Sequence, residues 1–166
     1  MTNSETALCR RRLKKFCKGN GLDLGYGGDP IVPDAITVDL PTPYRNAGNA
    51  MLNLKGDARD LYWFKNEVLD YVYSSHLLED FRETEVVLNE WLRVLKLGGY
   101  LILYCPDEKK YRKHCKKTGQ TYNQNHKINE FSLEYVLSVL KKIGDFEIVH
   151  SKPHCEIYSF ELVIKK

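Results

Sequence analysis

The segment Gly21-Leu-Asp-Leu-Gly-Tyr-Gly-Gly28, with Pro30 and Pro33 close behind it, constrains this chain more than any other stretch. Gly21–Leu24 reads as a short buried strand that runs into a glycine turn. Gly25 permits the tight turn, and Gly27 lets a ligand approach the backbone with no Cβ in between. The third glycine of a dinucleotide fingerprint would fall at residue 30, which is proline. A phosphate-binding turn also needs a helix N-terminus directly after it, and the two prolines leave no room for one. A nicotinamide dinucleotide is therefore disfavoured. No glycine loop ending in Gly-Lys-Ser or Gly-Lys-Thr occurs, so ATP held by a P-loop is excluded.

Further strands are expected at Ala35–Leu40, between Pro33 and Pro41, at Met51–Leu54, at Val68–Tyr73 and at Tyr100–Cys105, which Pro106 closes. The stretch from Gly27 to Ala35 is short for a crossover between parallel strands. Eight extended residues reach about 26 Å against the ~17 Å of a five-residue strand, so an extended chain suffices. The covering helix normally placed there is then missing or reduced to a turn. An N-terminal helix over residues 5–18, with Leu8, Leu13, Phe16 and Cys17 among its basic residues, would have to cover part of the exposed sheet.

Thr84 is expected to cap a helix carrying Val87, Leu88, Trp91, Leu92, Val94 and Leu95 and ending at Gly98 and Gly99. Ser132 caps another over Leu133–Ile143, stopped by Gly144. Phe146–Val149 and Ile157–Ile164 read as an antiparallel pair that turns at Pro153-His154. Strands first and helices between later strands indicate an α/β protein with a mostly parallel sheet covered on both faces. At 166 residues the chain is expected to form a single domain over 1–166.

Charge is segregated. Residues 1–18 hold six basic residues and one acid, 19–108 seven and fifteen, and 109–166 twelve and six. This arrangement either guides an anionic substrate or consists of solvated basic helices around an acidic body. No apolar run approaches the ~20 residues of a membrane helix, and the N-terminus holds no signal-like segment. Five cysteines form no CxxC pair, which supports neither a disulfide scaffold nor a four-cysteine zinc site. The spacing of His114, Cys115 and His126 matches no common zinc site, so no metal is expected. A cytoplasmic location follows by default.

Acids recur at successive strand ends. Asp23 lies inside the glycine segment, near where a ligand ammonium would sit. Asp39 ends the second strand, where a carboxylate accepts both hydroxyls of a ribose. Asp57, in Lys55-Gly-Asp-Ala-Arg59, follows the third and can accept from an adenine amino group. Three carboxylates would repel a pyrophosphate but suit an adenosine compound bearing an ammonium and a sulfonium. That description fits S-adenosylmethionine.

With these residues in place, the chain resembles the class I, Rossmann-like S-adenosylmethionine-dependent methyltransferases, and among them the small type 11 enzymes. The resemblance covers about residues 20–107, through Leu22-Asp-Leu-Gly-Tyr-Gly-Gly28, Ile36-Thr-Val-Asp-Leu40, Gly56-Asp-Ala-Arg-Asp-Leu61, Leu69-Asp-Tyr-Val-Tyr-Ser-Ser-His-Leu-Leu-Glu-Asp80 and Glu90-Trp-Leu-Arg-Val-Leu-Lys-Leu-Gly-Gly-Tyr100. It implies a seven-stranded sheet in the order 3-2-1-4-5-7-6 with the last strand antiparallel. It also implies that Gly25 and Gly27 lie beneath the methionine part of the cofactor, with Asp23 near its ammonium. Asp39 would hold the ribose and Asp57 the adenine amino group, with a backbone donor from Ala58. Ser74 and His76 would line the methyl-transfer end.

Methyl transfer needs an aligned nucleophile, exclusion of water and often a proton acceptor. His76 is the candidate base, just beyond the fourth strand. Glu79 and Asp80 either orient it or occupy the first turn of a helix. The basic run within Asp107–Lys117 leaves from the ligand-binding rim and either clamps an anionic group or forms a solvated helix. Residues 106–131, with Tyr111, Tyr122 and His126, are the candidates for a substrate lid. The expected activity is methylation of a small or sugar-like metabolite, with a homodimer left open and with neither membrane nor nucleic acid as partner. The alternative is a non-catalytic protein of the same fold that binds S-adenosylmethionine or S-adenosylhomocysteine, or acts as a scaffold.

Overall fold

A computed structural model describes residues 4–42 and 50–166. Seven strands form one sheet: β1 (Gly21–Leu24), β2 (Ile36–Asp39), β3 (Leu54–Lys55), β4 (Leu69–Ser75), β5 (Leu95–Pro106), β6 (Glu147–Cys155) and β7 (Ser159–Lys165). Their order is β3-β2-β1-β4-β5-β7-β6. The pairs from β3 to β5 are parallel, whereas β7 runs antiparallel to both β5 and β6. This is the mostly parallel Rossmann-like methyltransferase sheet anticipated from the motifs. The helices are α1 (Glu5–Leu13), α2 (Thr84–Val94), α3 (Glu108–Thr118) and α4 (Leu133–Ile143).

Alternation along the strands assigns residues to the two faces. Leu22, Leu24, Val72, Leu101 and Leu103 lie in one buried cluster with Val87, Leu88 and Trp91 of α2 and Val136 and Leu140 of α4. The opposite face presents Tyr71, Tyr73, Ile102, Tyr104 and Val163, covered by Cys9 and Leu13 of α1 together with Ile31 and Ala35. No helix intervenes between β1 and β2, and α1 with the extended 29–35 segment takes its place. Asp29 ties the two together. It accepts from Ser4 Oγ and pairs with the Arg10 guanidinium, which also donates to the Pro30 carbonyl at 3.1 Å. At the other end Arg12 Nε reaches Glu161 of β7 at 2.5 Å.

Several boundaries differ from the sequence reading, among them that of α1, which ends at Leu13 rather than at residue 18. α2 stops at Val94 because Leu95 already pairs with Leu69, so Gly98 and Gly99 lie within the irregular start of β5. Its N-cap is Glu83 without a side-chain cap bond, and Thr84 instead donates to the Phe81 carbonyl at 3.4 Å. β6 runs through Pro153 and His154, and the chain reverses after Cys155 with Glu156 at φ 51°. A proline is tolerated there because β6 is an edge strand with a register shift between Lys152 and Cys155. The third strand begins at Leu54, later than Met51. No helix of the described residues is long and apolar enough to cross a membrane.

Candidate functional site

The carboxyl ends of β1, β2 and β3 meet at one edge of the sheet. Gly25, at φ 68°, donates its N–H to the Val38 carbonyl at 2.8 Å, which fastens the turn after β1 to β2. A Cβ there would come within 2.9 Å of Leu77 Cδ2. Gly27 is also left-handed, at φ 57°, and among the described residues the nearest atom to a Cβ on it would be the Gly25 carbonyl oxygen at 4.0 Å. One glycine thus serves the turn and its packing, while the other leaves room above the backbone.

Asp39 sits beside this space. Its Oδ2 accepts from Gly27 N at 3.3 Å and its Oδ1 from Leu40 N at 2.8 Å. Burial pushes its carboxyl above the ordinary range, against the two amide hydrogen bonds. Two backbone donors leave acceptor capacity on both oxygens for a vicinal diol. The next loop is joined to the same residue, since Gly56 N donates to the Asp39 carbonyl at 2.9 Å. Asp57 follows, forked onto Arg59 at 3.0 and 2.6 Å, and those hydrogen bonds hold its carboxyl below the usual range. An adenine amino group would share that carboxylate with Arg59. Ala58 is buried and its carbonyl accepts from Trp91 Nε1 at 2.8 Å, which anchors the loop on α2.

Asp23 does not face the same space. It is wholly buried beneath the 29–35 segment, where Oδ2 accepts from Ile31 N at 2.6 Å. Burial raises its carboxyl to about 8, against the Ile31 hydrogen bond. Ser74 is also buried, and its Oγ donates to the Leu24 carbonyl at 3.0 Å, locking β4 to β1 where the turn begins. Gly25, Gly27, Asp39, Asp57 and Ala58 therefore share one edge, with Asp23 and Ser74 supporting it from within.

His76 occupies the rim beyond β4 with φ 50°. Its Nε2 lies 3.1 Å from Ser159 Oγ and 3.4 Å from Glu5 Oε2, so β7 and the start of α1 hold the ring. Its Nδ1 is 4.0 Å from Oε1 of Glu79. Glu79 is completely buried, and among the described residues neither of its oxygens has a hydrogen-bond partner. Burial and the neighbouring Asp80, Glu108 and Glu5 push its carboxyl well above the usual range.

The segment after α3 closes over Glu79. Lys127 N donates to the Glu79 carbonyl at 2.9 Å, placing His126 Nε2 3.8 Å from Glu79 Oε1. On its other side His126 Nδ1 lies 2.8 Å from Oε2 of Glu108, a buried acid at the start of α3. Glu108 also accepts from Tyr122 Oη and from Arg112 Nε at 2.8 Å. Burial works against its charge, but these three hydrogen bonds prevail and lower its carboxyl below the ordinary range. Tyr111, Tyr122 and His126 form a ring cluster with centroids 4.9 to 5.7 Å apart. The three residues named as lid candidates thus stand together.

Sequence reasoning missed Glu108 and did not connect Glu79 with His126. A glutamate inside an apolar strand-to-helix segment was the available signal for Glu79. Nothing linear marks His126 as its neighbour. Two surface hollows lie away from the glycine edge, one lined by Pro33–Ile36, Asn53, Leu54 and Phe64, the other by Arg112, Cys115, Lys116, Gly119, Gln120 and Tyr122.

Comparison with known proteins agrees with this architecture. Residues 33–103 match the family model described as "Methyltransferase domain", of type 11. No curated protein matches the chain. A SAM-dependent methyltransferase of Thermotoga maritima has a TM-score of 0.69 at 22% identity, with 98% of this chain and 88% of that one covered. A protein of Pyrococcus horikoshii gives 0.71 at 23% identity, covering 95% and 88%. A SAM-dependent methyltransferase of Archaeoglobus fulgidus gives 0.70 at 16%, covering 97% and 92%. The chain has the Rossmann-like fold of the S-adenosylmethionine-dependent methyltransferases, and its residues 33–103 match their type 11 domain.

Proposed function

We propose that the protein is an S-adenosylmethionine-dependent methyltransferase acting on a small or sugar-like metabolite. The observation that carries this reading is the Asp39 carboxylate at the end of β2, which among the described residues accepts backbone N–H groups from Gly27 and Leu40. The donor set fits the cofactor at its ribose and methionine ends. Asp39 would hold the ribose hydroxyls, the Gly25–Gly27 backbone would lie beneath the methionine part, and the 57–58 loop would border the adenine. When bound, the cofactor supplies a methyl group activated by a positively charged sulfur.

The remaining chemistry falls to the rim. His76 would take a proton from the acceptor on its ring, and Glu5, 3.4 Å from Nε2, would stabilise the resulting imidazolium. The Tyr111, Tyr122 and His126 segment covers the same end and shields it from water. The short loops of this chain suit a small acceptor better than a folded protein. On α3, Lys109, Lys110 and Arg112 are already paired with Glu130, Asp107 and Glu108, so an anionic acceptor would be drawn by Lys113, Lys116 and Lys117.

The test is calorimetric titration with S-adenosylmethionine and S-adenosylhomocysteine, followed by an assay for S-adenosylhomocysteine release with candidate acceptors. Binding of both with no release under any acceptor would favour a non-catalytic adenosyl-ligand-binding protein. The engagement of His76 by Ser159 is the feature consistent with that second reading.

A further inference from the structure

We propose that Glu79, Asp80 and His126 bind a divalent transition-metal ion. One carboxylate oxygen from each acid and one imidazole nitrogen lie within 4.8 Å of one another. Cis ligands of an octahedral ion with bonds of about 2.1 Å stand ~3 Å apart, so the three groups would draw together around a bound ion.

The second observation is Glu79 itself. It is 0% exposed, both its oxygens lack hydrogen-bond partners among the described residues, and Oε1 faces His126 Nε2 at 3.8 Å. An acid buried without donors is costly to keep, whereas a cation would satisfy both oxygens at once.

His126 is prepared as a ligand. Its side chain is 5% exposed, and its Nδ1–H donates to the Glu108 carboxylate at 2.8 Å, which turns the Nε2 lone pair toward Glu79. A ligating histidine whose other nitrogen is held by a carboxylate is the usual outer-shell arrangement of such centres. Glu108 is in turn fixed by Tyr122 and Arg112. The amide of Lys127 on the Glu79 carbonyl holds the two ligand segments together. Asp80 is only partly buried and stands on the solvent side of the fully buried Glu79.

Two carboxylates and one imidazole favour Mn2+, Fe2+ or Zn2+ over Ca2+, whose sites are built from oxygen, and leave coordination positions open. His76 borders this centre, so the ion would act as a Lewis acid on an acceptor oxygen or nitrogen reaching the rim. That role, unlike the binding itself, rests on the methyltransferase reading.

The test is direct. The full chain, stripped with chelator, is titrated with Mn2+ while the electron paramagnetic resonance of the free ion is followed, and with Co2+ while its visible spectrum is recorded. Expected are one ion per chain, a Co2+ spectrum without thiolate charge-transfer bands, and a loss of affinity of at least ~10-fold in Glu79→Gln and in His126→Gln. Asp80→Asn, at the partly exposed position, provides a folded variant with the same expected direction should the buried ones fail to fold. Absence of uptake, thiolate bands that assign the ion to cysteine, or unchanged affinity in Asp80→Asn and the other folded variants would overturn the proposal. None of these measurements requires S-adenosylmethionine, so failure here leaves the methyltransferase reading standing, and the converse also holds.

Discussion

Oδ2 of Asp39 lies 3.3 Å from the amide nitrogen of Gly27, so the end of β2 and the turn after β1 share one carboxylate. That contact orients Asp39 toward the space left by a glycine and fixes the turn by the same bond. Asp39→Ala is expected to weaken S-adenosylmethionine binding by about 1–3 kcal/mol, through the loss of charge-assisted hydrogen bonds. Calorimetry on the folded variant checks it, and unchanged affinity would remove Asp39 from the cofactor site.

Asp23 should make stability depend on pH. Its folded carboxyl is raised from an ordinary 3.8 to about 8, so between those values it is neutral when folded and charged when unfolded. Its stabilising contribution is therefore complete below about pH 4 and lost as pH rises through about 8. Asp23→Asn can still accept from Ile31 and should flatten that decline, making the variant more stable than the parent by about 1–3 kcal/mol near pH 8. Urea unfolding of both proteins at low and high pH decides it. Parallel curves would show that Asp23 is ionised in the folded chain.

Leu13 of α1 is wholly buried against the tyrosine-bearing face of the sheet. Leu13→Ala is expected to cost about 2–4 kcal/mol, as for other well-packed core leucines. Arg10→Ala removes a partly exposed ion pair with Asp29 and should cost no more than about 1 kcal/mol. Similar, negligible losses from both would mean that α1 does not serve as a cover.

His76→Asn keeps a residue type that tolerates the left-handed backbone at this position. It should leave cofactor affinity unchanged and slow turnover by ~10²–10⁴-fold. An undiminished rate would dismiss the imidazole as proton acceptor.

Periodicity made most of the scaffold legible. Gly21–Leu24 and Leu133–Ile143 fall at the bounds expected from a glycine turn and from a serine cap with a glycine stop. Cover of the sheet by α1 followed from a length argument, since Pro30 and Pro33 left no helix between β1 and β2. The misread boundaries were those decided by pairing partners: Leu95 joins β5 because Leu69 lies opposite, and Pro153 stays in β6 because the edge makes no demand on its missing N–H. At the site, acids placed by strand ends were readable in position but not in direction. Asp39 turns outward to Gly27 and Asp23 inward to Ile31, and alternation alone does not settle which neighbour claims each carboxyl. The union of Glu79, Glu108 and His126 depends on a loop folding back, which leaves no periodic trace.

The ion pair between Arg12 and Glu161 joins residues 149 positions apart. A nine-residue helix such as α1 is too short to hold its shape alone in water. Its shape therefore depends on contacts with residues far along the chain, this pair on β7 among them. The cover over Tyr71, Tyr73 and Tyr104 is thus fastened twice, by Cys9 and Leu13 packed on that face and by this pair on β7. Arg12 thereby acts as a latch between the helix and the antiparallel end of the sheet.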